Sequence, residues 1–470
     1  MKKAGVFFLL FIQLSFAGRS QSSIKPVGVI KNLSDTALLE TVQRQTLRYF
    51  WDFAHPKSAM ARERSNTVKA QYYWDFLNEG GGEPNLSKDT FGEEACATGS
   101  TGFGITAIVV GVNRHWIPRN EAVKRLNKLV DFLTKADCYH GMYPHFINGY
   151  TGKVIPFSRT DDAADIVETS YLLMGLLSAK AYFNGDNIEE KYFRMRVQQM
   201  WEAANWKFYE SSDSKILYWH WSPNNGFDMN FPIYGWDEAL ITYIMAASSP
   251  THPISREVYD NCWKNKPTWK NGKSYYGIKL PLDNYYDKGG PLFFEQYTFI
   301  CINPNGLTDD EGIDYFEQGR NHALIQRAYC IENPKGYKGY GANCWGLTAG
   351  DSYEGYRAHC PSMDYGVIQP TAAISAFPFT PEYSMQALKH FYFDLGDKIW
   401  GEYGFIDGFS ETKNWYAKSF IAPDEGPIVG MIENYRTGLI WDLFMNIPEI
   451  QAGLKKLGLK STGIKSLNNN

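Results

Sequence analysis

Apolar positions recur every three or four residues along most of this chain, the period of an amphipathic helix. From Ser34, the run DTALLETVQRQTLRYFWDFA places leucine, valine and aromatic side chains on one stripe, with polar groups opposite. Ser34 is positioned to cap that helix, because its hydroxyl can accept from the unpaired N–H groups of the first turn. Further helices are predicted at about 101–113, 119–136, 161–182, 188–209, 235–247, 255–263, 291–301, 309–329, 368–377, 381–395 and 426–445. Pro118 precedes one of them and Pro381 opens another, as the fixed φ of proline allows.

The segments between these helices are long and rich in glycine, aromatic and acidic residues. NEGGGEPNLSKDTFGEEA, YWHWSPNNGFDMNFPIYGWDE, GYGANCWGLTAGDSYEGYRAH and GFSETKNWYAKSFIAPDEGP are examples. Long loops inside a compact domain are usually functional. About twelve helices with no Pro/Ser-rich break predict an all-α fold, six helical hairpins closed into an (α/α)6 toroid. An α-solenoid is the alternative, but no fixed-period repeat supports it. The expected layout is a signal peptide over 1–17, a flexible tail over 18–33, one catalytic domain over 34–455 and a C-terminal tail over 456–470.

The N-terminus carries Lys2 and Lys3, an apolar run to Phe16 and a small residue at Ala17. That is the pattern of a secretory signal, too short to stay in a bilayer as a span. The expectation is an exported protein, periplasmic or extracellular, a monomer with no stable membrane anchor. The seven cysteines are odd in number and irregular in spacing, so no disulfide is predicted. A net charge of −4 over 470 residues lacks the basic excess that a nucleic-acid partner requires. Aromatic residues reach 16%, including 14 Trp and 31 Tyr, which suits stacking on sugar faces and equally suits a large helical core.

The acids narrow the chemistry. Asp161, Asp165 and Glu168 stand at i, i+4 and i+7, one face of the predicted 161–182 helix, and the stripe then turns apolar. Acids in a first turn also satisfy the helix dipole, which explains Asp161 and its neighbour Asp162 well but the deeper Asp165 and Glu168 less. Glu238 in GWDEALITY opens an almost wholly apolar helix beside Trp236; an acid desolvated there would keep its proton and serve as a general acid. Glycoside hydrolysis needs such a pair of carboxyl groups. Glu295, Asp351, Glu354, Glu425 and Glu433 lie in aromatic or glycine-rich settings and could bind sugar hydroxyls, with Trp236, Tyr297, Trp345, Trp415 and Arg436 as companions. Each is equally explained as a satisfied structural group. His140 and His145 could face the same cleft. No GxSxG elbow, P-loop, HExxH or dinucleotide fingerprint is present, and neither metal nor organic cofactor is implied. A polysaccharide lyase is a rival, but the acid-rich loops favour a neutral glycan.

Six blocks in order, LLETVQRQTLRYFWDFAHP…ARERSN, TGFGITAIVVGVNRHWI, SRTDDAADIVETSYLLMGLL, GWDEALITYIMAASSPTHPI, GPLFFEQYTF and GPIVGMIENYRTGLIWDLFMNIPEI, resemble the bacterial glycoamylase-like family, which includes the endo-β-1,2-glucanases of glycoside hydrolase family 144. The resemblance spans about 38–450. It implies an (α/α)6 fold and hydrolysis of β-1,2-glucan to sophorose and short sophoro-oligosaccharides with inversion. It carries the family's acidic cluster onto Asp161, Asp165 and Glu168, and its general acid onto Glu238. Another neutral glucan or β-glucoside, or a silent glycan-binding toroid, is the alternative.

Overall fold

The structure is a computed structural model that describes residues 24–65, 94–211, 213, 215–264, 269–270, 272–282 and 286–462. The expected signal peptide and the GGG of the 78–95 loop lie outside the described residues.

Two concentric sets of helices emerge from how completely each element is buried. The inner set is α2 (Thr98–Asn113), α4 (Ile166–Tyr182), α6 (Leu240–Ser248), the two 3-10 turns Leu292–Glu295 and Thr298–Ile300, α8 (Pro370–Ile374) and α10 (Ala422–Thr437). Their side chains are covered nearly all round, so they read as apolar rather than amphipathic. The outer set alternates with them: α1 (Asp35–Trp51), α3 (Arg119–Leu133), α5 (Ile188–Ala203), the helical stretch from Arg256 to Trp263, α7 (Tyr315–Glu332) and α9 (Pro381–Lys389). These bury one stripe and expose the other. The order alternates outer and inner from α1 onward, six of each among the described residues, which is the expected (α/α)6 toroid. Helix α10 packs on both α1 and α2, so the end of the chain closes the ring onto its beginning. Gln43 of α1 fastens that seam by donating to the Val429 carbonyl (3.1 Å) and to Glu433 (3.2 Å).

Helices α2 and α4 cross almost backbone to backbone. A Cβ on Gly175 would lie 2.2 Å from the Gly102 carbonyl oxygen, and one on Gly102 would lie 1.9 Å from that of Tyr171. The glycines of TGFGI and MGLL therefore set the spacing of the inner wall at this point.

Several helices are shorter than their periodicity predicts. The 161–182 helix begins only at Ile166, with Asp165 as its N-cap, so Asp161 stands in the preceding loop and the three acids do not share a helix face. The 235–247 helix begins at Leu240, leaving Asp237 and Glu238 in the turn before it. The 188–209 stretch ends at Ala203 and resumes as a 3-10 turn, Trp206–Tyr209. The 291–301 stretch forms two 3-10 turns, and 309–329 begins at Tyr315. The 426–445 run breaks at Gly438, whose φ of 73° ends α10 before α11 (Leu439–Met445). A further helix, α12 (Pro448–Lys456), packs on α6. Short strands fill the loops, none longer than four residues among those described.

The expected tails are partly seated. Ile24 is buried, and Trp400 Nε1 donates to the Val27 carbonyl at 2.8 Å. At the other end Leu457 and Leu459 are buried, and Lys460–Ser461 pairs with Leu307–Thr308.

Candidate active site

The ring brings the N-terminal ends of its inner elements to one mouth. Three short pieces of backbone build the acid group there. Ala164–Asp165 pairs antiparallel with His220–Trp221, which sets Asp165 opposite His220. His145 precedes the strand Phe146–Asn148, and its carbonyl accepts from Thr98 N at 3.0 Å, tying it to the start of α2. Asp165 N donates to the Tyr143 carbonyl at 3.0 Å, tying the same segment to the start of α4.

Asp165 is fully occupied. Its Oδ1 accepts from Val167 N and Glu168 N, both at 2.9 Å, and its Oδ2 meets His145 Nδ1 at 3.2 Å. Burial alone would raise its pKa, but the His145 hydrogen bond and the charges of His220 and His145 carry it below the usual carboxylate range. Asp161 is buried and lies 3.3 Å from His220 Nδ1. The nearby charge of Asp161 raises the His220 pKa despite burial.

Glu168 is different. It is only partly covered, and its Oε2 accepts from Gly99 N at 2.7 Å, in the first turn of α2. A Cβ at residue 99 would sit 2.6 Å from that oxygen and 2.8 Å from the Tyr171 ring, so glycine leaves the carboxylate room at the helix end. Its Oε1 stands 4.0 Å from His145 Nε2. Burial pushes the Glu168 carboxyl up and Asp165 adds to this, while His145 pulls it down; it settles at about 7. His145, opposed by burial but surrounded by Glu168, Asp165 and Asp161, is pushed up to about 10.

Glu238 enters from the next inner element. Its carbonyl accepts from Tyr171 Oη of α4 and from Thr298 Oγ1, both at 3.0 Å, which fixes the turn between two walls of the ring. Burial, then Asp237 beside it and Glu168 further off, hold its carboxyl well above the ordinary range. One mouth thus carries a carboxyl that keeps its proton, another balanced near neutrality and a third held ionised. That division suits acid–base work on a glycosidic bond. His145, Asp161 and Asp165 each present an atom within 4.8 Å of the others. These groups already neutralise one another as imidazole–carboxylate pairs, so the arrangement reads as self-satisfied rather than as a set of metal ligands.

A second acid group flanks the first. Asp407 and Asp424 hydrogen-bond to each other, with Asp351 and Glu425 adjacent and all four buried. Asp351 pairs with Arg64 at 2.5 Å and accepts from the Ser419 hydroxyl. Burial, then shared negative charge, raises Asp424 and Glu425 well above normal; Asp407 stands at about 7. Tyr297 lies between the groups. Its ring packs on Phe103 and Tyr171, and its phenol, after burial, feels Asp424, Glu238 and Glu168.

Of the sequence-predicted residues, Asp161, Asp165, Glu168, Glu238 and Tyr297 converge on this mouth. Glu354 is exposed in the turn of one hairpin beside the second acid group, and Trp415 is half-buried on another. Others serve the framework. Glu295 is buried and accepts from Trp236 Nε1 (2.8 Å), Gln318 (2.8 Å) and His322 (3.0 Å), so neither it nor Trp236 faces a sugar. Trp345 is wholly buried. Glu433 and Arg436 lie in the last turns of α10, at the opposite mouth; Glu433 takes both Arg114 contacts at 3.0 Å. His140 stacks on Phe208. The pattern did not single out His220, Asp407 or Asp424. Asp407 was detectable as a lone acid in the apolar GFIDGF, and Asp424 as an acid opening a buried helix, the same signal that exposed Glu238.

An (α/α)6 ring with paired carboxyls of opposed ionisation at one mouth has the build of a glycoside hydrolase. Comparison with known proteins agrees. Residues 230–448 match the Glycoamylase family model. The crystal structure of an endo-β-1,2-glucanase from Chitinophaga pinensis, in complex with sophorotriose and glucose, is 47% identical, covers 91% of this chain and 99% of that one, and superposes with a TM-score of 0.84. An exo β-1,2-glucooligosaccharide sophorohydrolase from Parabacteroides distasonis is 40% identical over 446 residues, 90% of this chain; this chain spans 58% of that relative's length. An endo-β-1,2-glucanase from Talaromyces funiculosus shares the fold at 10% identity, with a TM-score of 0.54. The chain belongs to the bacterial glycoamylase-like family.

Proposed function

We propose that this protein is an exported glycoside hydrolase that cleaves β-1,2-glucan into sophorose and short sophoro-oligosaccharides. The names of its relatives from Chitinophaga and Parabacteroides support the substrate, and the charged start and apolar run of 1–17 support export. Glu238 is the general acid that protonates the departing glycosidic oxygen. Glu168 is the base that draws a proton from the attacking water, so the product forms with inversion. The observation that carries these roles is that two carboxyls on neighbouring inner elements differ in environment. Both are partly covered, but Glu238 stands beside the like charge of Asp237, whereas Glu168 is held by a helix-end N–H and faces His145.

Purified protein is incubated with linear β-1,2-glucan, starch, laminarin and β-1,4-glucan, and the products are separated by size. Oligosaccharides from β-1,2-glucan alone are expected; cleavage of a different glucan instead overturns the substrate. Glu238→Gln is expected to lose at least about 10²-fold in kcat with its melting temperature nearly unchanged. Retained turnover removes Glu238 from the acid role.

A further inference from the structure

The two imidazoles and three carboxyls at the active mouth form one connected line. Glu168 Oε1 faces His145 Nε2 at 4.0 Å, and His145 Nδ1 meets Asp165 Oδ2 at 3.2 Å. That same oxygen lies 3.9 Å from His220 Nδ1, which in turn meets Asp161 Oδ1 at 3.3 Å. Acid and base alternate along it by charge, from the partly open Glu168 to the buried Asp161. The five residues come from three separate pieces of chain: the 161–168 stretch that leads into α4, the segment entering Phe146–Asn148, and His220–Trp221. Helix ends account for Asp165 and Glu168, but not for His145, His220 or Asp161.

We propose that His145 is a positioning residue that holds Glu168 ionised and correctly turned to take the proton of the attacking water, and that His220 and Asp161 anchor His145 through Asp165. This deepens the hydrolase reading and rests on it. The geometry supports it in three ways. His145 reaches Glu168 through one ring nitrogen while its other nitrogen is fixed on Asp165, so the ring cannot turn away. The rings of Phe146 (4.4 Å) and Phe157 (4.7 Å) lie against it and limit water around the contact. Asp165 has no spare lone pair directed at the mouth, since its Oδ1 is spent on two N–H groups of α4.

The groups facing His145 are Glu168 and Asp165 from α4 and its cap, Asp161 from the preceding loop, and His220 from the paired strand. Three are acids and one is a base, so the imidazolium is favoured. A positive His145 favours the carboxylate of Glu168 over its protonated form. Removing that charge moves the ionisation of Glu168 to higher pH.

Two arms test this. In the first, the kcat/KM profile of His145→Gln is compared with that of wild type on whichever glucan the protein hydrolyses. The acid limb is expected to move up by about one pH unit, a tenfold loss on that limb that is recovered at higher pH, with KM less affected than kcat. Loss by the same factor at every pH, with the limb unmoved, overturns the proposal, because a merely structural role predicts that result. His145→Lys, which restores a cation, is expected to bring the limb part of the way back. The second arm needs no substrate. Histidine ring resonances followed by NMR are expected to show His145 protonated well above pH 7 in wild type and titrating lower in Glu168→Gln. An unchanged midpoint in that variant overturns the coupling. If the NMR coupling holds while no glucan is cleaved, the proposed function fails and the coupling stands.

Discussion

Glu168 and Glu238 share a functional group and differ in everything around it. Glu168 has an N–H at a helix end and a nearby imidazolium; Glu238 has burial and a neighbouring acid. A Gln at either position preserves shape and removes one protonation change, so each substitution isolates chemistry from packing. Asp407 gives a second residue-scale test, this time of stability. Its pKa of about 7 in the fold exceeds the ~3.9 of an unfolded aspartate. Between those values the unfolded chain has released a proton that the folded protein keeps, so stability falls as pH rises from 4 to 7. Asparagine can keep the short contact from Asp351 N (2.5 Å) through its oxygen and still meet Asp424 with its amide. Asp407→Asn is therefore expected to gain in melting temperature relative to wild type as pH goes from 5 to 8. A difference that stays flat across that range contradicts a proton held on Asp407.

At the scale of elements, the contacts that matter are those where backbones nearly touch. Gly175→Ala places a methyl 2.2 Å from the Gly102 carbonyl oxygen, so one of the two helices must move to admit it. The expected loss is about 1–3 kcal/mol, read from urea unfolding; a loss below 0.5 would mean that α2 and α4 can separate. This crossing also shows why some elements were legible and others not. The apolar period located α2, α4 and α10, and the almost wholly apolar run after Glu238 marked α6 as buried, because a covered helix carries apolar residues on every side. It extended α4 back to Asp161 because acids mimic a polar first turn. In fact Asp165 turns its side chain onto the helix's own N–H groups and stops it there. The convergence of the acids was right and its cause was not. Asp161 reaches the group through His220, a residue 59 positions away that only the Ala164–Asp165 pairing with His220–Trp221 brings close. Contacts of that kind have no local period. The same gap explains Glu295 and Trp236, whose aromatic setting suggested sugar and proved to be a buried hydrogen-bond hub.

For the whole molecule, closure is the controlling fact. Helix α1 alone leaves its inner stripe uncovered until α10 arrives some 370 residues later, and Gln43 then joins the two. A chain ended before Ala422 should lose the ring's last inner element together with Asp424 and Glu425. It is expected to bind hydrophobic dye and to unfold without a sharp transition, whereas the full chain unfolds cooperatively. A sharp transition in the shortened protein would mean that the ring is stable while open.

All seven cysteines are unpaired, and all but Cys138 are buried. Burial pushes the thiols of Cys96 and Cys301 up to about 12 and that of Cys262 to about 11, so none of these three is a thiolate at neutral pH. The buried thiols of the folded protein are thus shielded from oxidants, while the unfolded chain exposes all seven. If the protein is exported as proposed, maturation becomes a race between ring closure and thiol oxidation. Recovery after denaturation should then depend steeply on reductant, although the native enzyme is indifferent to it.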